Sequence, residues 1–131
     1  MEKHRFLQVS DVLILHAESI AEFGGSYGLR DEGALQSAVR AAENRYHYED
    51  ADLATCAATY AFHISQAHAF VDGNKRAAAA AATVFLDTNG ARLDADDDEI
   101  HRVFLQIASG EMTRDEVEAK FAEWFVEDKK S

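Results

Sequence analysis

The sequence contains no proline, where an average composition would place roughly six or seven, and only seven glycines among 131 residues. Both shortages favour helices joined by short connections. A single cysteine, Cys56, excludes a disulfide framework and a Cys-based zinc site. It fits a reducing, cytoplasmic setting. No apolar run reaches the roughly 18 residues of a transmembrane span. Met1 to Phe6 are charged, with no apolar stretch ending in small residues behind them, which predicts no secretory leader. Basic charge is scarce: 13 Lys and Arg stand against 24 Asp and Glu, for a net charge of −11. Free nucleic acid is therefore a poor partner, because phosphate binding needs a positive face. A basic or mixed-charge protein partner suits this surface better.

What is present is a globular composition, 47% hydrophobic and 28% charged. The length fits one domain over residues 1–131. Folding at this size buries roughly two-thirds of the unfolded chain's surface.

The pattern predicts an all-α bundle of about six helices with minor short strands at most. Met1 to Gln8, with apolar Phe6 and Leu7, reads as an edge strand. Ser10 reads as an N-cap for a helix carrying Val12, Leu13, Leu15, His16, Ile20 and Phe23, which Gly24-Gly25 stops. Ser26 to Arg30 is irregular or extended. Asp31 caps a second helix with Leu35, Ala38, Val39 and Ala42 on its buried stripe. Tyr46 to Asp50 reads as a loop. Asp52 opens a third helix that is almost free of charge between Leu53 and Ala67, so it is expected at the centre. A polar break spans His68 to Asn74. Lys75 to Thr88 follows as a second largely buried helix, closed by Asn89-Gly90. Arg92 to Asp94 reads as a strand fragment. Asp96 to Asp98 put negative charge at the start of a fifth helix, which the macrodipole favours. That helix buries Ile100, Val103, Phe104 and Ile107 and ends at Gly110. Thr113 to Glu116 is a capping box for a last helix with Val117, Phe121, Trp124 and Phe125 inward.

The polar break between the two charge-poor helices carries the chemistry. Its sequence is His68-Ala69-Phe70-Val71-Asp72-Gly73-Asn74-Lys75-Arg76. A new helix N-terminus offers free N–H groups and a positive dipole end to an anion. Gly73 permits close backbone approach. Lys75 and Arg76 are unfavourable cations in a first turn by roughly 0.3–1 kcal/mol each, a sign that a bound phosphate reverses. Asp72 is an oxygen ligand suited to magnesium. His68 can take a proton from an attacking hydroxyl. Phosphate cradle, metal ligand and base together suit phosphoryl or nucleotidyl transfer.

This segment resembles the Fic/Doc family signature, H-x-F-x-(D/E)-(A/G)-N-(K/G)-R, at every constrained position. The stretch Gly28-Leu29-Arg30-Asp31-Glu32-Gly33-Ala34-Leu35-Gln36-Ser37-Ala38 is similar to one found in the Doc-type branch. The resemblance extends over roughly Phe6 to Phe125. It implies a compact helical bundle with the loop between two central helices. It further implies His68 as general base and Phe70 as the loop's anchor in the core. Asp72 becomes the magnesium ligand, and Gly73, Asn74, Lys75 and Arg76 the turn that binds the phosphates of ATP. Lys75 replaces the glycine of the AMP-transferring branch, and Ala79 stands where that branch has a second arginine. Both favour transfer of the γ-phosphate to a Ser or Thr hydroxyl of a protein, by resemblance a translation factor such as elongation factor Tu. Gly73 is closer to the Fic form and keeps AMP transfer as the alternative, with a non-catalytic docking module as the third reading. The resemblance also implies a toxin whose antitoxin carries a segment that folds on binding.

The simpler readings are specific. His68 alone would be a capping or core histidine, Asp72 an N-cap, Asn74 a turn residue, and Lys75 with Arg76 a solvated pair. Ala77 to Ala82 read as helix propensity and close packing. His63 and His68 are five apart and share no helix face, which argues against zinc. Tyr46, His47 and Tyr48 read as surface residues packed on their own helices, Cys56 as a small buried hydrophobe.

Overall fold

Alanine sets the centre of the structure. In the computed structural model, which describes residues 4–128, the elements run α1 (Val9–Phe23), α2 (Glu32–Glu49), α3 (Leu53–Ala67), α4 (Asn74–Thr88), β1 (Ala91–Leu93), α5 (Asp97–Ala108), α6 (Arg114–Trp124) and β2 (Phe125–Glu127). Ala54, Ala57, Ala58 and Ala61 on α3, and Ala77, Ala78, Ala81 and Ala82 on α4, are all buried. Small side chains let the two helices approach closely and lose no rotamer entropy on burial. The larger core residues fill the space around that seam: Tyr60, Phe70, Phe85, Phe121, Leu35 and Ile64. α3 packs against α2, α4, α5 and α6, and α1 packs mainly against α4. The arrangement is all-α, with one small sheet in which β1 and β2 pair antiparallel. Among the described residues no helix is long and apolar enough to cross a membrane.

Local chemistry explains the helix ends. Asp31 accepts from the Ala34 N–H and Asp52 from the Thr55 N–H, each satisfying a free N–H of the first turn. Thr113 and Glu116 form the expected capping box. α5 starts with Asp97, Asp98 and Glu99 in its first turn. Burial pushes the Cys56 thiol up to about 12, so it stays protonated and inert.

Four expectations are corrected. The described part of the N-terminal segment, from His4, forms no strand; Met1 to Lys3 lie outside the described residues. Side chains take the place of a ladder there. The Asn89 amide accepts from the Arg5 N–H (2.8 Å) and donates to the Arg5 carbonyl (3.0 Å). The Leu7 N–H donates to the buried Tyr60 hydroxyl (2.9 Å). Second, α1 starts at Val9, because Asp11 reaches back to the Gln8 N–H at 2.7 Å and moves the cap from Ser10 to Gln8. Third, Tyr46 to Glu49 continue α2. Arg45 pairs with Glu49 one turn on, and Tyr46 packs between His4 and Phe6. The helix ends only where Asp50 turns left-handed. Fourth, Phe125 belongs to β2 and is half-buried; the Trp124 carbonyl accepts from the Asp94 N–H at 2.7 Å as the sheet begins.

Tyr60→Phe tests the N-terminal attachment. It leaves the Leu7 N–H buried without an acceptor, and the expected loss is about 1–3 kcal/mol in denaturant unfolding.

Candidate active site

α3 stops because His68 leaves the helix in the left-handed region, with φ 48° and ψ 40°. Histidine is among the residues enriched there, yet such a backbone costs about 1–3 kcal/mol and needs support. The support comes from residues 28–31. Arg30 Nη2 donates to the His68 carbonyl at 2.8 Å. The backbone N–H groups of Arg30 and Asp31 donate to the Ala69 carbonyl at 2.6 and 3.0 Å. Leu29 pairs with Phe70 as an isolated antiparallel bridge, and the Val71 N–H donates to the Gly28 carbonyl at 3.0 Å. With its backbone fixed in this way, His68 itself is exposed.

Phe70 is buried and lies flat against the His16 ring, 3.7 Å between centroids and 8° between planes. Asn74 clasps the backbone of the same residue. Its Oδ1 accepts from the Phe70 N–H and its Nδ2 donates to the Phe70 carbonyl, both at 2.9 Å. The Asn74 side chain therefore shapes the loop, and only its backbone N–H faces the turn.

Asp72 is exposed and sits one residue before the cap of α4, which is Gly73. Its Oδ1 accepts from the Gly73 N–H (2.9 Å) and its Oδ2 from the Ser26 N–H (3.2 Å). A carboxylate has about four acceptor positions, so two protein bonds leave room for a cation. Gly73 has φ 76° and supplies no side-chain cap. The N–H groups of Asn74, Lys75 and Arg76 thus have no partner within the helix. They border a pocket of about 310 Å³ lined by Val71 to Arg76. Uncapped donors at a positive dipole end fit a phosphate.

The two cations divide their work. Arg76 turns toward the C-terminal end of α1, donating to the Ser19 carbonyl (3.3 Å) and the Gly24 carbonyl (2.9 Å). The negative end of one helix dipole offsets the positive end of another. Lys75 makes no ion pair among the described residues. It lines both the loop pocket and its neighbour. Among the described residues no three His, Cys, Asp or Glu side chains converge on one point. A metal beside Asp72 would thus take one protein carboxylate and draw its other ligands from phosphate and water, as magnesium usually does.

Residues 6–86 match the Fic/DOC family. The chain belongs to the Fic/Doc family. It is 31% identical over 110 residues to the "Protein kinase doc" of Escherichia phage P1, an alignment covering 83% of this chain and 86% of that protein. It is 38% identical over 113 residues to the "Toxin Doc" of Mycolicibacterium smegmatis, again 83% of this chain and 86% of the relative. The Fic/Doc match runs from Phe6 in the N-terminal segment through most of α4, so it contains the whole loop.

The fold brings His68, Asp72, Gly73, Asn74, Lys75 and Arg76 onto one short turn. It also recruits His16, Gly25, Ser26 and Arg30, which the sequence pattern did not single out for the site. Gly24-Gly25 signalled only a helix stop, yet the two glycines differ. A Cβ on Gly24 would meet nothing within 4 Å, whereas one on Gly25 would lie 2.7 Å from Asp72 Oδ2 and 3.0 Å from Arg76 Nη2. Both have positive φ, 88° and 116°, so Gly24→Ala controls for backbone strain. If the turn holds magnesium–ATP, Gly25→Ala is expected to bind it about 10–100-fold more weakly than Gly24→Ala. Isothermal titration calorimetry checks this; equal affinities would show that the Asp72 carboxylate is not displaced.

Proposed function

We propose that this chain is a Doc-type toxin that transfers the γ-phosphate of ATP to a Ser or Thr hydroxyl of another protein. The observation that carries the reading is the placement of exposed His68 and Asp72 two residues before and two residues after buried Phe70, in the loop that leads into the uncapped first turn of α4. The acceptor oxygen bonds to the γ-phosphorus as the bond to the β,γ-bridging oxygen breaks. The hydroxyl proton passes to a ring nitrogen of His68, and ADP leaves with the electron pair. The N–H groups of Asn74, Lys75 and Arg76 and the Lys75 ammonium hold the phosphate oxygens, positioning that dominates such catalysis. A magnesium ion held by Asp72 would supply further charge neutralisation.

Two positions favour phosphate over AMP transfer. Lys75 fills space beside the turn that a glycine would leave open. Ala79 presents a methyl group to the pocket between α4 and α5, where an arginine would place a cation. Gly73 adds little to the AMP reading, because its φ of 76° gives it a local reason to be glycine. By family likeness the acceptor is a translation factor of the elongation factor Tu kind, and the chain's action is in the cytoplasm. Its restraint falls to an antitoxin segment that folds on binding. The acidic start of α5 borders the apolar groove formed with α4 and β1, which suits a helix with basic residues beside apolar anchors.

ATP labelled separately at the α- and γ-phosphates tests the reaction. Label from the γ-phosphate alone is expected on the target. Label from the α-phosphate would establish AMP transfer, and label from neither a docking module. His68→Ala is expected to lower transfer at least about 100-fold with nucleotide affinity unchanged in a binding titration. Near-normal turnover would remove His68 from the role of base.

A further inference from the structure

His16 lies in the middle of α1 and is buried at 4% exposure. α1 packs mainly on α4, and besides His16 it buries Val12, Ser19 and Ile20. A buried imidazole is costly unless its polar atoms are bonded. Nε2 lies 2.7 Å from the Asp72 carbonyl, 56 residues along the chain. A carbonyl only accepts, so Nε2 carries the proton. The ring face covers Phe70, and Cδ2 comes within 3.5 Å of the point where a Cβ at Gly73 would stand. One side chain thus touches the loop at three successive structural points: its aromatic anchor, the peptide of its carboxylate residue and the cap of the next helix.

We infer that His16 is a positioning residue for this site. It fixes the peptide that follows Asp72 and thereby the direction of the Asp72 carboxylate and of the first N–H groups of α4. It takes no proton in the reaction, because its loop-facing nitrogen is occupied by the carbonyl. The inference rests on the proposed transfer reaction for its effect on turnover, but its structural content stands apart from that reaction. Arg30 performs the matching task at the other end of the loop, through the His68 carbonyl. His16 differs in being buried and in combining a stack with a directed donor.

Three variants separate the stack from the donor. His16→Phe keeps a ring on Phe70 and removes the donor. His16→Gln places an amide nitrogen near the position of Nε2, and His16→Asn places one near Nδ1, out of reach of Asp72. With melting temperatures recorded alongside, His16→Phe is expected to lower kcat about 10–100-fold with KM for ATP within about twofold. His16→Gln is expected to exceed His16→Asn in kcat by about tenfold at similar melting temperature. Wild-type kcat in His16→Phe, or equal kcat in the Gln and Asn variants, would overturn the inference. If the unaltered chain transfers neither phosphate nor AMP, the proposed reaction fails, and amide NMR then decides the positioning claim alone. Displaced Gly73 and Asn74 amide signals in His16→Asn, restored in His16→Gln, with a wild-type His16 in the Nε2–H tautomer, would support it. Unchanged signals would overturn it.

Discussion

The loop depends on the anchoring of Phe70. Contacts from three separate parts of the chain converge on this residue. Its ring is buried against His16, both its peptide groups are held by the Asn74 amide, and its strand-like neighbour is Leu29. An exposed loop carrying a histidine and a carboxylate would ordinarily sample many geometries. Driving one aromatic side chain into the core between the two exposed functional residues removes that freedom from both sides. His68 lies two residues before the anchor and Asp72 two residues after it. Neither side chain has to be buried to be placed, and both stay open to solvent.

Helix ends supply much of the electrostatics. α4 begins where α1 finishes, and Arg76 bridges the two by donating to carbonyls at the end of α1. This resolves the apparent cost of a cation in a first helical turn. The arginine answers to the negative end of α1, while Lys75 is left to the pocket. Of the two adjacent basic residues, one therefore serves mainly architecture and the other is free for a ligand.

Much of this was legible in the sequence because it is written in local patterns. The caps at Asp31, Asp52 and Thr113, the charge-poor α3, the break after Ala67 and the strand fragment near Arg92 all follow from residues close together in the chain. Apart from the start of α1, where Asp11 caps three residues back, the misreadings arose where distant residues decide. Tyr46 to Glu49 look like a loop until His4 and Phe6 are placed on Tyr46. The N-terminal segment looks like a strand, but its partners are the side chains of Asn89 and Tyr60. The nine-residue loop motif announced the candidate site and Arg30 lay in the second family-like stretch, yet His16, Gly25 and Ser26 carried no local signal of their part in it. A histidine in an apolar helical stripe reads the same whether its nitrogen meets a loop 56 residues away or a solvent molecule.

The far end of α4 has a consequence for handling the molecule. Asn89 grips the backbone of Arg5, and the Gly90 carbonyl accepts the Asp128 N–H. The first and last described parts of the chain are thus clipped to one turn. The loop pocket opens at the other end of the same helix, about 22 Å away at 1.5 Å per residue over its 15 residues. An affinity handle or fluorescent protein joined next to the described residues at Arg5 or Asp128 would therefore be tethered at the pole opposite the loop pocket. Immobilisation through such a handle presents the pocket outward, toward whatever macromolecule is flowed across the surface.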